Sequence, residues 1–177
     1  MALAIDHAES FRALYACHRD DVWRYLRRRT EHDVAEDLTT EVFVVAWRRR
    51  PDLTTDALPW LYGVARHVLA NHRRGDGRAA ALTEKAGRHA LAVEDDHADR
   101  VGVRADVAAA LRQLPPTDRE VLLLVAWEGL TSTEVARVLG CRASAARVRL
   151  HRARKRLRAV LEPQDPAQNV TVVESSS

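Results

Sequence analysis

Residues 131–161 read TSTEVARVLGCRASAARVRLHRARKRLRAVL, and this stretch decides the fold. Thr131 and Glu134 have the spacing of a capping box, in which the hydroxyl accepts from the third helical N–H and the carboxylate reaches back. The pattern predicts a short helix, a tight turn at Leu139, Gly140 and Cys141, and a long second helix. From Arg142 to Arg158 there are eight basic residues and no acidic one. That is the pattern of a helix-turn-helix whose second helix lies against nucleic acid. In that helix Ala146, Leu150, Ala153, Leu157 and Val160 or Leu161 recur at helical spacing and predict the packed stripe. Ser144, Arg147, Val148, His151 and Arg152 share the opposite face, in the turns that such motifs present to base edges. Arg pairs bidentately with guanine, Val meets a thymine methyl, and Ser and His donate to bases or phosphates. Arg149 joins the DNA-binding candidates as a phosphate contact. Arg154, Lys155, Arg156 and Arg158 are assigned to phosphate or solvent.

The positive charge is local. Residues 1–74 carry a net +1, residues 75–104 a net −1, residues 105–162 a net +5, and the tail adds two acids, against a total of +3. A cationic footprint on one helix marks a phosphate-binding surface. With 177 residues, long apolar runs of 3.6-residue period and only seven glycines, the expected class is all-α, in two small helical domains. No signal peptide and no apolar run near the ~20 residues of a membrane span is present, so no membrane insertion is expected. Cys17 and Cys141 are too few for a disulfide scaffold. Both are expected reduced and structural, in a cytoplasmic protein.

Upstream, residues 6–29 read as a first helical block. Asp6 and Glu9 form a cap pair, Phe11, Tyr15, His18, Val22 and Leu26 fall near one face, and a break is possible at Asp20 and Asp21. A second helix runs from Asp33 to about Arg50. Its Val42 to Trp47 segment is apolar in every direction, so it is either wrapped by neighbours or partly offered to a partner. A loop over 51–58 precedes a third helix, from Pro59 to Arg74, which Gly75, Asp76 and Gly77 end. Residues 75–104 lose apolar periodicity and read as a linker, with room for a short helix near Ala79–Ala86. Fully extended, they reach on the order of 100 Å. The second domain spans residues 105–162. One helix ends at Leu114, and Thr117 with Glu120 predicts a capping box for the next, which stops at Gly129. The polar tail 163–177 is expected to be disordered.

Four segments taken in order resemble the extracytoplasmic-function (group 4) sigma factors of bacterial RNA polymerase. VAEDLTTEVFVVAWRR (34–49) is similar to region 2.2 of that family, and PWLYGVARHVLANHRR (59–74) to regions 2.3–2.4. LRQLPPTDREVLLLVAWEGLTSTEVARVLG (111–140) resembles the start of region 4, and ASAARVRLHRARKRL (143–157) resembles region 4.2. The resemblance implies that residues 1–74 bind core polymerase and open the −10 element, while residues 105–162 read the −35 element. It places Asp37, Leu38, Glu41 and Phe43 on the core polymerase-binding helix. It makes the loop 50–58 the receptor for a base flipped from the stack, an extraction costing a few kcal/mol. It sets Trp60, His67, Asn71, Arg73 and Arg74 toward −10 DNA, with simple packing an equal reading for Trp60. Promoter DNA, core RNA polymerase and an anti-sigma factor are the implied partners. The chain departs from the family pattern at Thr40, where Gln is common, and at residues 142–146, which replace a Pro-x-Gly-Thr-Val run. The departures leave the −35 sequence open.

The competing reading is a stand-alone helix-turn-helix regulator with a sensor or dimerisation module in residues 1–104. The region-2-like segments argue against it. An enzyme is disfavoured: there is no Gly-rich phosphate loop and no Cys-x-x-Cys. His67 and His72 are five apart, not the i, i+4 of a helical zinc pair. No catalytic residue, metal or cofactor is expected, and Cys141 reads as a small buried residue rather than a redox reporter.

Overall fold

In the computed structural model, residues 2–49, 57–83 and 101–162 are described, and every regular element among them is a helix. In chain order these are α1 (Ala2–Arg27), α2 (His32–Arg49), α3 (Ala57–Thr83), α4 (Val101–Gln113), α5 (Pro116–Ala126), α6 (Ser132–Leu139) and α7 (Ala143–Leu161). The all-α class is as the periodicity requires.

α1, α2 and α3 pack on one another in the first half. α1 is continuous through Asp20 and Asp21, so the suggested break does not occur. Arg19 reaches Asp20 at 3.2 Å and Arg24 reaches Asp21 at 2.6 Å, so both carboxylates are neutralised along the helix. The helix also starts before Asp6, which removes the proposed cap pair with Glu9. Leu14, Val22, Tyr25 and Leu26 form its buried side. α2 buries Ala35, Leu38, Val42, Phe43 and Ala46 against it, and Arg19 ties the two helices by donating to both Glu36 oxygens at 3.2 and 2.8 Å. Burial of each large apolar side chain stabilises the fold by about 1.5–3 kcal/mol.

α3 runs on to Thr83, beyond the expected end at Gly75–Gly77. Glycine costs a helix about 1 kcal/mol relative to alanine, but Ala79, Ala80 and Ala81 follow at once and favour propagation. A side-chain contact between His72 Nε2 and Asp76 Oδ2 (3.1 Å, i, i+4) straddles Gly75. At its other end the expected linker is also shorter, because residues 101–104 already form the first turn of α4; residues 84–100 lie outside the described residues, as do residues 50–56 and the tail 163–177.

In the second half, the Thr117–Glu120 capping box does not form. Pro115 is the extended N-cap residue and Pro116 begins the helix, so Thr117 already lies within the first turn. Arg119 satisfies the preceding helix end instead. It donates from Nε to the Leu111 carbonyl and from Nη2 to that of Arg112, both at 2.7 Å. Four consecutive α5 residues, Val121 to Leu124, are buried because the helix is covered on two sides. Leu122 and Leu123 pack with Leu111, Leu114 and Ala153. Val121 and Leu124 belong to a larger core that continues into α1, α2 and α3. The two halves therefore share a core.

Candidate nucleic-acid interface

The Thr131–Glu134 box is present in both directions. Glu134 N–H donates to Thr131 Oγ1 at 3.3 Å, and Thr131 N–H donates to Glu134 Oε2 at 2.7 Å. Those bonds to Thr131 hold the Glu134 carboxyl below its ordinary range. α6 then ends at Gly140, whose φ of 63° lies in the left-handed region that favours glycine. The Cys141 N–H closes back on Ala136 O at 2.9 Å, forming the tight turn of the helix-turn-helix. Cys141 is half-buried in this turn, whereas Cys17 is exposed on α1 and has no core role. α7 starts from an extended Arg142 with no side-chain cap, as the missing Ser or Thr implies.

Ser144, Arg147, Val148, Arg149, His151 and Arg152 are all exposed. At about 100° per residue, Ser144, Arg147, Val148, His151 and Arg152 form one continuous strip, while Arg149 falls on its flank. Val148 is an apolar residue 49 % exposed amid this basic strip, which is a poor arrangement for water and a good one for a base methyl. Ala146 and Ala153 are fully buried on the opposite side, with Leu150 and Leu157 half-buried beside them. Val160 and Leu161 are exposed rather than packed, because α7, at 19 residues, outruns the 11-residue α5 beneath it. Arg156 is also not a free surface charge. Its Nη1 donates to Asp118 Oδ2, a buried carboxylate in the first turn of α5.

On α3, His67, Asn71 and Arg74 are exposed and share one side, and Arg74 donates to Asn71 Oδ1. Trp60 is half-buried and packs on the core, so packing accounts for part of its ring. Arg73 sits away from that side. It is exposed as a residue, but its Nη2 donates to the Arg29 carbonyl at 2.7 Å, and partial desolvation of the guanidinium lowers its pKa. The base-capture loop assigned to residues 50–58 lies mostly outside the described residues.

On α2, Asp37 and Glu41 are exposed and share a strip with Val44 and Arg48. Leu38 and Phe43 are only 4 % and 3 % exposed and lie in the core, so they shape the helix rather than present a surface. The sequence reading missed what α1 adds here. Phe43 meets Tyr15 edge-on at 4.7 Å, and Phe11 meets Trp47 at 5.0 Å. Tyr15, Val44 and Trp47 are each 40–42 % exposed, making an aromatic shoulder between α1 and α2. The signal was the i, i+4 spacing of Phe11 and Tyr15. Among the described residues, no cluster of three or more His, Cys, Asp or Glu could hold a metal, and no helix is long and apolar enough to cross a membrane.

This geometry defines a helical, two-part DNA-binding protein with a helix-turn-helix in its second half. Residues 14–79 match the family Sigma-70 region 2, and residues 104–157 match Sigma-70, region 4. The ECF RNA polymerase sigma factor SigC of Mycobacterium tuberculosis is 32 % identical over 167 residues, covering 93 % of this chain and 90 % of that protein. The solved sigma factor RpoE of Bartonella quintana, in complex with the anti-sigma factor NepR, shares the fold. Its TM-score is 0.69 at 21 % identity, over 88 % of this chain and 99 % of that one. CnrH, solved in complex with the cytosolic domain of CnrY, aligns with a TM-score of 0.58 at 28 % identity over 87 % and 88 % of the two chains. The chain belongs to the sigma-70 family, as an ECF RNA polymerase sigma factor: it directs RNA polymerase to promoters and starts transcription there.

Proposed function

We propose that residues 1–74 hold core RNA polymerase and engage the −10 element, residues 105–162 read the −35 element, and residues 75–104 join them. The exposed strip Ser144, Arg147, Val148, His151 and Arg152 is the observation that carries this reading, because it combines donors, an apolar contact and positive charge on one groove-sized face. Arg149 supports it from the flank through phosphate. His67, Asn71 and Arg74 form the −10 side of α3, with Trp60 at its edge. Asp37 and Glu41 meet the polymerase together with the aromatic shoulder of Tyr15 and Trp47.

The chain works in the cytoplasm and performs no catalysis; the chemistry of RNA synthesis belongs to the polymerase. A partner protein restrains it as an anti-sigma factor, a reading supported by RpoE, which shares the fold and is bound by the anti-sigma factor NepR, and by CnrH, which is bound by the cytosolic domain of CnrY. Binding to purified core RNA polymerase, followed by transcription from a genomic promoter library, tests the proposal. Initiation at a discrete promoter set is expected. Failure of the folded, partner-free protein to bind polymerase would transfer the reading to a stand-alone DNA-binding regulator.

A further inference from the structure

The recognition helix has a midline as well as an exposed face. Its inward stripe is Ala146, Leu150, Ala153 and Leu157, the two alanines fully covered and the two leucines half-buried. At about 100° per residue, Val148 lies within about 40° of directly opposite all four. It is therefore the position on this helix directed furthest from the protein's own core. Arg149 stands about 100° from it on one side, and Arg154 and Arg158 about 80–120° from it on the other. All three arginines are exposed. A helix seated in the major groove has a phosphate backbone along each flank and base edges beneath its midline. In that seat the flanking arginines lean toward the backbones, and Val148 faces the bases with Ser144 one turn before it and Arg152 one turn after.

A single exposed valine is ordinary on a protein surface. This one, 49 % exposed, holds the midline of a face whose other members, Ser144, Arg147, His151 and Arg152, are all hydrogen-bonding side chains. Valine has neither donor nor acceptor, so it cannot tell the O4 acceptor of thymine from the N4 donor of cytosine. It can meet the substituent on the adjacent carbon, C5, which is a methyl group in thymine and a hydrogen in cytosine. Branching at Cβ holds its χ1 in one rotamer in a helix, so its two methyls stand at a defined place. A C5 methyl there removes apolar surface from water on both partners, whereas a C5 hydrogen leaves a gap with no atoms to touch.

We infer that Val148 senses the C5 methyl itself, so that this chain binds a promoter more tightly when the cytosine it faces is 5-methylcytosine. The ligand chemistry is a C5-methylated pyrimidine, presented either by thymine or by a cytosine that already carries the methyl. The inference rests on residues 105–162 being the −35 reader, and it adds the covalent state of the promoter to what they read. Burial of one such methyl raises affinity about fourfold, the equivalent of about 0.8 kcal/mol.

The full chain is titrated by fluorescence anisotropy against duplexes bearing its preferred −35 sequence. Each thymine in turn is exchanged for deoxyuracil, and each cytosine for 5-methylcytosine, so that only the C5 substituent changes. At the position where the methyl matters, thymine, deoxyuracil, cytosine and 5-methylcytosine are then compared directly. Thymine over deoxyuracil and 5-methylcytosine over cytosine should each gain about fourfold. Val148→Ala, a change that suits a helix, should keep the helix content by circular dichroism and bring both ratios under about twofold. A response to the thymine methyl with none to 5-methylcytosine at the same position overturns the inference. So does a methyl response undiminished in Val148→Ala, or none at any position. In those three cases, preference for one −35 sequence over scrambled DNA leaves the reading of the second half standing. Equal binding to scrambled and preferred duplexes sinks that reading and this inference together.

Discussion

Thr131→Ala tests whether the helix-turn-helix is set by its cap. α6 has eight residues, little more than two turns, so it has no spare length over which to fray. The wild-type side chain accepts from Glu134 N–H at 3.3 Å and donates from its hydroxyl to Glu134 Oε2 at 2.7 Å, while its own N–H donates to the same carboxylate at 2.7 Å. Alanine removes the first two bonds and weakens the third by freeing the glutamate. Loss of an N-cap of this type costs about 1 kcal/mol, within a range of about 0.5–2. The pH dependence follows from Glu134, whose folded pKa is depressed below its ordinary 4.5, mainly by the bonds to Thr131. A depressed carboxyl adds stability that is present above the unfolded pKa and lost as pH falls through the folded one. The difference between wild type and Thr131→Ala should therefore be full near neutrality and shrink in acid, below 4.5. Urea unfolding at the two pH values, followed by tryptophan emission and extrapolated to water, reads it directly. Thr131→Ser keeps the hydroxyl and should sit within a few tenths of a kcal/mol of wild type. A cost that stays the same in acid would refute the carboxylate's share, and one below about 0.3 kcal/mol would refute the cap itself.

Arg147→Ala should cost roughly 1–3 kcal/mol on the preferred −35 sequence and relax base preference there, measured by anisotropy on matched and mutated duplexes. Equal loss on every sequence assigns it to phosphate. Asp37→Arg should weaken polymerase binding without lowering the unfolding midpoint. Leu38→Ala should instead lose about 2–5 kcal/mol of stability, because it empties a core position. Equal thermal stability of those two variants would undo the division between surface and core on α2. Gly140→Ala should destabilise by about 1–2 kcal/mol, the strain of a Cβ at positive φ, and should do so even though no neighbour lies within 4 Å. A neutral result would mean that the turn relaxes.

The second half was the more readable part, because its signals are local. Thr131, Glu134 and Gly140 are one turn or less from the groups they satisfy, and the cationic strip of α7 needs only helical spacing to be recognised. What escaped prediction depends on partners distant in sequence. Glu120 looked like a cap residue because Thr117 stands three before it, yet its carboxylate serves Arg66 and Tyr25 across the joint. Arg156 looked like one more solvated charge until Asp118, 38 residues away, was seen beneath it. Phe43 lay in a run apolar on every side, and only the packing of Phe11 and Tyr15 shows which side is inward. Gly75 and Gly77 were read as a stop, although in α3 the His72–Asp76 pair and the following alanines outweigh them.

The pairing of Arg156 with Asp118 reaches into the thermodynamics of DNA association. Each protein cation that neutralises a phosphate sets free condensed counterions, and the logarithmic salt dependence steepens by about 0.9 per contact. A guanidinium already balanced inside its own protein displaces no such ion. Of the eight basic residues between Arg142 and Arg158, seven then remain to contribute. The ceiling on the slope from this helix falls from about −7 to about −6. A charge that the sequence counts toward affinity is thus spent on holding α7 to α5, and the protein gives up some electrostatic grip on DNA at large for a recognition helix fixed in place.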